Sequence, residues 1–188
     1  MVNSRSEIRR HPERGVPEQA ALFLAAGRVA HVAFVEGEQP IAVPFGYQFD
    51  PGRPDRLYLH GSPASRALRL AASGAPLCVT VTILDGLVYS KTALNHSMNY
   101  RSVVCFGRGR QVTDHGRQQA VYAGMVGRYF PGRTAGRDYA PATPAQLDAT
   151  LLVEVEIEEC SAKTREGGPT GPADHDAAAP GTCGVAPL

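Results

Sequence analysis

Strict alternation of apolar and polar residues is the feature that most limits what this 188-residue chain can fold into. In Leu151–Glu159 an apolar side chain stands at every second position, and Leu77–Leu84 has the same period. Side chains alternate between the two faces of a β-strand, so this period predicts strands with one face in a core. The acidic residues of the later run are expected to form a solvated outer face. The residues expected to face inward there are Leu151, Val153, Val155 and Ile157.

Most of the other apolar runs are short and are joined by turns. Asp85-Gly86 has turn composition and Asn95–Asn99 is a polar loop by composition, whereas Ser62, Asp114 and Thr143 are typical N-cap residues. This order favours a mainly antiparallel sheet or barrel with a few helices over a doubly wound fold. The predicted strands cover 29–35, 41–49, 56–60, 77–84, 87–92, 101–112 and 151–159, and the predicted helices cover 17–26, 63–73, 115–130 and a short segment after Thr143.

The length of the chain suggests one domain with a sizeable core. Residues 1–16 form a polar N-terminal extension, and residues 17–164 form the predicted domain. Residues 165–188 are rich in Gly, Pro and Ala, so we expect a coil that packs on the barrel or is partly disordered.

Composition argues against several classes of protein. The formal net charge is +1, which gives no global field for nucleic acid or an acidic membrane surface. No apolar run approaches the roughly 20 residues that span a bilayer, and the N-terminus lacks the apolar stretch of a secretory signal. We therefore expect a cytoplasmic protein without a membrane or nucleic-acid partner. The four cysteines, Cys78, Cys105, Cys160 and Cys183, are far apart and form no C-x-x-C pair. Cys78 and Cys105 lie in apolar runs typical of strands, where reduced buried thiols are expected.

The junction between strand 56–60 and the following helix is the first candidate binding site. A helix N-terminus presents unpaired N–H groups and the positive end of the helix dipole. Gly61 allows an anion to come close, the hydroxyls of Ser62 and Ser65 can donate to it, and Arg66 follows one turn later. These residue types favour a phosphate site, although ordinary helix starts have the same composition. His60 by itself is more typical of a hydrogen-bonded strand end than of a catalyst.

Two further segments are candidates for binding. Arg101 stands where a strand enters the core, so its charge needs a partner, either a bound phosphate or an internal carboxylate. Pro44 and Gly46 interrupt strand 41–49, where they mark either a bulge or the close approach of a ligand. His60 and His96 lack the local spacing of metal ligands, so no metal site is predicted.

Taken together, these segments resemble the pyridoxamine 5'-phosphate oxidase-related FMN-binding split-barrel proteins. The branch that they resemble most is the one that includes the nitroimidazole-resistance (Nim) flavoproteins. The similarity extends over most of the chain, and the block His96–Val104 is its most specific part. The matching stretches are Val43–Tyr47, Leu57–Leu68, Asp85–Val88, His96–Val104 with Gly107, and Ser161–Pro169.

The resemblance implies a six-stranded antiparallel split β-barrel with a few peripheral helices, which forms a homodimer with FMN in a cleft between the subunits. It implies that the His60–Arg66 junction, with Arg101 and Ser102, holds the ribityl phosphate, and that Pro44–Tyr47 and Thr80–Thr82 lie along the flavin ring. The residues that the resemblance assigns to the cofactor are Val43, Pro44, Phe45, Gly46, Tyr47, His60, Gly61, Ser62, Ser65, Arg66, Thr80, Thr82, Tyr100, Arg101 and Ser102.

The resemblance favours an FMN-dependent oxidoreductase that acts on a small organic substrate, for example a nitroaromatic compound. His60 and Tyr47 are candidates for the substrate side by position alone. The alternatives are a non-catalytic module that stores or senses FMN, and a haem- or deazaflavin-binding relative, since fold does not fix function. Two departures are visible: the C-terminal Arg/His substrate motif of true pyridoxamine phosphate oxidases is not evident, and Thr182 stands where the family often has Trp.

Overall fold

Eight β-strands dominate the computed structural model, which describes residues 4–188. The sheet is antiparallel throughout and open, with the strand order β2-β1-β5-β6-β7-β4-β3 and β8 paired with β5 outside that path. The prediction of a mainly antiparallel β fold with few helices is confirmed, but the sheet has eight strands where six were predicted. The strands are β1 (Ala30–Glu36), β2 (Gln39–Phe45), β3 (Tyr47–Phe49), β4 (Arg56–Gly61), β5 (Pro76–Tyr89), β6 (Ser97–Gln111), β7 (Leu151–Arg165) and β8 (Gly184–Pro187).

Strand β5 continues through Asp85-Gly86, where the sequence predicts a turn, so that prediction is wrong. The register of β5 against β6 shifts between Leu84 and Gly86, which marks a bulge inside one long strand. A glycine suits position 86 because β8 passes close to the backbone there. A Cβ atom at this position would lie 2.9 Å from the carbonyl oxygen of Ala186. The predicted polar loop 95–99 is also shorter than expected, since β6 begins at Ser97.

Within residues 4–188, four α-helices lie beside the sheet: α1 (Ala20–Ala26), α2 (Arg66–Ala72), α3 (His115–Tyr129) and α4 (Pro144–Asp148). The predicted caps of the last two are confirmed, because Asp114 accepts from Arg117 N and Thr143 forms a capping box with Gln146. Short 3-10 helices cover Pro12–Arg14, Pro17–Gln19, Ala93–Asn95 and Pro172–His175.

The predicted start of α2 is wrong. Ser65, not Ser62, is the N-cap, and its hydroxyl accepts from Leu68 N at 3.4 Å. The residues before it form a tight turn in which Ser65 N donates to the carbonyl of Ser62 at 2.9 Å. The predicted end is confirmed by Gly74, which adopts a positive φ of 82° directly after the helix.

The core lies on the inner face of the sheet beneath α1 and α2, and a smaller apolar cluster lies on the outer face beneath α3. Successive side chains of β4 point alternately to these two faces. Leu57 and Leu59 face the main core, whereas Tyr58 and His60 face the side of α3.

The predicted solvated face of β7 is wrong at Glu154, whose side chain is only 2% exposed. Helix α3 covers this end of the outer face, and the buried carboxylate accepts from Arg110 at 2.7 Å and from the hydroxyl of Tyr58 at 2.9 Å. Arg117 and Arg56 also contact it. Burial alone would raise the pKa of Glu154, but the hydrogen bonds from Arg110 and Tyr58 and the charges of Arg117 and Arg56 lower it overall.

The two terminal segments pack on the sheet. Arg5 pairs with Glu158 at 2.7 Å and with Glu159 at 2.9 Å, while residues 1–3 of the predicted extension lie outside the described residues. In the C-terminal segment, the carboxylate of Asp174 accepts from Ser90 Oγ at 2.9 Å and from Lys91 N at 2.7 Å. Residues 165–188 are therefore not coil throughout, since they contribute β8. Among residues 4–188, no helix combines the length and apolarity that a membrane crossing requires.

Candidate functional site

His60 lies at the wall of a cavity of about 450 Å³ between β4, α3, α4 and the segment that connects these helices. His60 pairs in the sheet with Leu152, which fixes its backbone. A volume of this size is in the range of small-molecule and cofactor pockets. Apolar side chains and backbone form most of its lining, which consists of His60, Gln119, Tyr122, Ala123, Val126, Ala135, Tyr139, Ala140, Pro141, Ala142, Gln146, Leu147 and Thr150.

Two polar atoms at this cavity are buried, and neither Nδ1 of His60 nor the hydroxyl of Tyr122 has a hydrogen-bond partner within residues 4–188. The two rings meet edge to face with 5.4 Å between centroids. Burial lowers the pKa of His60, which keeps the imidazole neutral at pH 7, and raises the pKa of Tyr122, which keeps the phenol protonated. Buried polar groups without partners are costly and rare. A neutral imidazole nitrogen can accept a hydrogen bond or bind a metal.

At the predicted phosphate junction, the polar groups already have partners within the chain. Ser65 caps α2, Ser62 Oγ accepts from Ala64 N at 3.1 Å, and Arg66 pairs with Glu36 at 2.9 Å. The guanidinium of Arg66 is about half exposed, with 54% of its side-chain area accessible, so it remains within reach of a bound anion. Gly61 packs against Leu68, since a Cβ there would lie 3.1 Å from Leu68 Cδ1.

Arg101 pairs with the carboxylate of Asp85, and an internal carboxylate was one of the two partners predicted for it. Its Nε and NH2 groups donate to Asp85 at 3.0 and 2.6 Å, and the guanidinium lies 5.9 Å from the ring centroid of Phe23. Ser102 is the next residue in the strand, so its side chain points to the opposite face. Its hydroxyl donates to the carbonyl of Lys163 at 3.4 Å. A second cavity of about 450 Å³ lies beside Arg101, lined by Asp85, Asn99, Arg101, Thr164, Arg165, Glu166, Val185 and Pro187.

The two predicted phosphate arms are far apart within one chain. The junction at Gly61 pairs with Leu151, at the end of β7 that faces the end of β6 near Gln111, whereas Arg101 stands near the start of β6. Arg101 pairs with Thr164, 13 residues beyond Leu151 along β7, and at about 3.3 Å per residue this separation is roughly 40 Å along the strand. Within one chain, Arg66 pairs with Glu36 and Arg101 pairs with Asp85, so the two guanidinium groups have separate partners.

The residues predicted along the flavin ring are divided between the two faces. Pro44 stands opposite His31, and His31 opposite Thr80. The next row pairs Thr82 with Ser102, so these outer-face residues form a continuous patch across β2, β1, β5 and β6. Val43 and Phe45 pack against the main core instead. Tyr100 pairs with Arg165 in the sheet, and its carbonyl also accepts from Thr164 Oγ1 at 3.1 Å.

Tyr47 is a core residue with no accessible surface. Its hydroxyl donates to the carbonyl of Leu24 at 2.6 Å, and the guanidinium of Arg128 lies 4.2 Å from its ring centroid. Its phenol cannot meet a substrate without rearrangement of the core. Gly46 lies beside Tyr129, whose hydroxyl is 3.7 Å from where a Cβ would be.

Sequence reasoning missed Tyr122 and the wall formed by residues 135–142. Helical spacing was the available signal for the first, since Gln118, Val121 and Tyr122 lie on one face of α3. No local pattern marks residues 135–142, because their position depends on contacts that are distant in sequence.

The protein is an open antiparallel β-sheet that carries a neutral imidazole beside an apolar cavity, and cavities of this kind are typical of small-molecule sites. Residues 17–164 match the family described as Pyridoxamine 5'-phosphate oxidase. The chain belongs to this flavin-binding split-barrel family, which confirms the predicted resemblance. No curated protein is significantly similar to the chain.

Solved structures give the same assignment. The flavocytochrome Anf3 of Azotobacter vinelandii is 29% identical, with a TM-score of 0.85 over 99% of this chain and 85% of that one. An FAD- and haem-binding protein of Mycobacterium smegmatis is 35% identical, with a TM-score of 0.82 over 93% of this chain and 84% of that one. A protein described as a 5-nitroimidazole antibiotic resistance protein, from Bacteroides thetaiotaomicron, shares the fold at 17% identity, with a TM-score of 0.63 over 79% of this chain and 84% of that one.

Proposed function

We propose that this protein is an FMN-dependent oxidoreductase that acts on a small organic substrate such as a nitroaromatic compound. The observation that carries the proposal is membership of the flavin-binding family over residues 17–164. Support also comes from the outer-face patch, where Pro44, Thr80, Thr82 and Ser102 lie in adjoining rows. Such a surface accepts a planar ring, and the flavin would supply the redox chemistry when bound. The chain's residues would bind and orient it.

We further propose that the flavin lies between two copies of this chain. The separation of Arg66 from Arg101 supports this arrangement, because a phosphate held by both must be held by two subunits. A groove of about 500 Å³ on the outer face adds support, since Val35, Ala42 and Phe106 give it an apolar lining. Apolar surface of this kind is stabilised by burial against a partner.

The first experiment identifies the cofactor. Purified protein is expected to show visible flavin absorption bands, and chromatography of the released flavin distinguishes FMN from FAD. Rapid reduction by NADH or NADPH supports the oxidoreductase. A bound flavin that neither donor reduces would instead favour a storage or sensing module, and a protein that binds neither flavin would contradict the proposal.

The second experiment tests the phosphate site. Arg66→Ala should weaken flavin binding by roughly 1.5–3 kcal/mol, or about ten- to a hundredfold in Kd, if a charge-assisted hydrogen bond is lost. The matched control is Arg53→Ala, which removes an exposed arginine from the turn after β3. An equal flavin affinity in the two variants would show that Arg66 does not bind the phosphate.

A mixing experiment tests whether the site is shared. In a two-fold dimer that takes Arg66 from one subunit and Arg101 from the other, a mixed dimer of Arg66→Ala and Arg101→Ala has one intact site. Random exchange of subunits should then restore about a quarter of the wild-type sites. No restoration after exchange would show that the two arginines do not hold one ligand across the interface.

A second candidate function is haem binding alongside flavin. The observation that favours it is the buried, unpartnered nitrogen of His60 at an apolar cavity. The two similar proteins that are 29% and 35% identical to this chain are a flavocytochrome and an FAD- and haem-binding protein. When bound, haem would supply one-electron chemistry, and the residues present fit it, since apolar walls and a neutral imidazole are what a haem pocket requires.

A further inference from the structure

His31 stands in the middle of the outer-face patch, between two residues that the proposed flavin ring would contact. It pairs with Pro44 of β2 on one side and with Thr80 of β5 on the other. Neighbouring strands lie about 4.8 Å apart, so Pro44 and Thr80 are separated by roughly 10 Å with His31 between them. A planar ring that contacts both of these residues must therefore cover His31.

The surface around His31 is open to a flat ligand. His31 and Pro44 are exposed, and Thr80 is half-buried. The adjoining row of β1 and β2 pairs Ala33 with Ala42, whose small side chains leave room for a ring. Pairing on both sides fixes the backbone of His31, so only its imidazole has to reorient when a ligand binds. The residues present at this surface fit a flavin ring.

His31 is the ionisable member of its row. Its pairing partners on β2 and β5 are uncharged, and so are Val104 and Ser161, which continue the row across β6 and β7. Imidazole is the side chain whose charge ordinarily changes between about pH 5 and 8. A change of charge within this row over that pH range therefore comes from His31.

The other ionisable groups near this row lie diagonal to His31 or farther away. The thiol of Cys78 belongs to the next row of β5. Lys163 and Glu159 flank the row on β7, three strands from β1 and so roughly 14 Å away, which exceeds the Debye length of about 8 Å at physiological ionic strength. Arg28 precedes β1 and donates to a backbone carbonyl of α3 at 2.6 Å.

We propose that His31 contacts the bound flavin ring and that its positive charge favours the reduced flavin. Reduction adds negative charge to the ring, and a cation beside the ring stabilises that charge. The electrons come from the reductant and the proton on the imidazole comes from solvent. This inference rests on the proposed flavin site of the outer-face patch and adds the residue that tunes the midpoint potential there.

Potentiometric titration of the full-length, FMN-loaded protein, followed by the visible absorption of the flavin, tests the inference. His31→Gln is neutral at every pH, whereas His31→Lys keeps a positive charge. At about pH 5.5 the wild-type protein should favour reduced over oxidised FMN about tenfold more than His31→Gln does, which is about 30 mV for a two-electron couple. At about pH 8.5 this difference should disappear, and His31→Lys should keep it.

The matched control is His175→Gln, which removes an exposed histidine of the Pro172–His175 helix and should keep the wild-type potential at both pH values. The amount of bound FMN and the circular dichroism spectrum report that each variant is loaded and folded. If one of the two His31 variants does not retain FMN, the other decides by the same comparison with the wild-type protein.

The outcomes separate this inference from the proposed function. Bound FMN with equal potentials in wild type and His31→Gln at both pH values would overturn the role of His31 and leave the flavoprotein proposal intact. An equal shift in His175→Gln would also overturn it, because contact with the ring would not be the cause. A wild-type protein that binds neither FMN nor FAD would instead overturn the proposed function, and this inference with it.

Discussion

The buried carboxylate of Glu154 offers the sharpest test of how α3 is held on the sheet. Glu154→Gln keeps the size of the side chain and its contact with Tyr58 but removes the charge that three arginines share. Hydrogen bonds to charged groups contribute about 1.5–3 kcal/mol each, and breaking a fully buried ion pair costs about 3–5 kcal/mol. The arginines here can rehydrate, since Arg110 is 67% and Arg117 41% exposed at the side chain. We therefore expect a loss of about 2–3 kcal/mol.

Thermal unfolding followed by circular dichroism measures this loss. For a chain of this size, about 2–4 °C in Tm corresponds to each kcal/mol, so Tm should fall by roughly 4–12 °C. The matched control is Glu156→Gln, an exposed glutamate two residues along the same strand, which should change stability by less than about 0.5 kcal/mol. Equal Tm values for the two variants would refute the argument that the Glu154 network holds α3.

Two other predictions concern pH and backbone packing. Because burial lowers the pKa of folded His60, the unfolded chain takes up the proton first, so stability should fall as pH drops below about 6.5. His60→Gln should show a smaller loss in the same pH range by urea titration, and an unchanged pH profile would contradict the assignment. Gly107→Ala should prevent folding, since its Cβ would lie 1.9 Å from the carbonyl oxygen of Glu156. Gly127→Ala, with open space around it in α3, is the control, and soluble yield with hydrogen exchange is the measurement. A well-folded Gly107→Ala protein would show that the β6–β7 register is wrong.

Features set by neighbouring residues were predictable from the sequence. Alternation identified the inner face of β7, and local side-chain chemistry identified the caps at Asp114 and Thr143. The choice between Ser62 and Ser65 as the cap of α2 was not predictable, because both serines have the required hydroxyl. A turn between them decides which hydroxyl reaches the helix.

Features set by distant contacts were not predictable. The alternating pattern of β7 places Glu154 on the face predicted to be solvated. Its side chain is buried only because α3 packs over that end of the sheet. The composition of Asp85-Gly86 predicts a turn, yet the pairing of β5 with β6 places Asp85 beside Arg101 as its ion-pair partner. The His60 cavity needs α3, α4 and the chain between them in place, so the sequence indicated a histidine at a strand end but not the pocket beside it.

Strand β2 lies at one end of the sheet and contains Pro40 and Pro44. A proline has no N–H group to donate, so a strand with two of them is a poor template for pairing with another chain. Addition of a further strand along β2, whether from a second copy or from a misfolded neighbour, is therefore disfavoured. Two copies of this protein that associate at this end of the sheet should meet through side chains on its faces, where small substitutions change specificity without exposing backbone to aggregation.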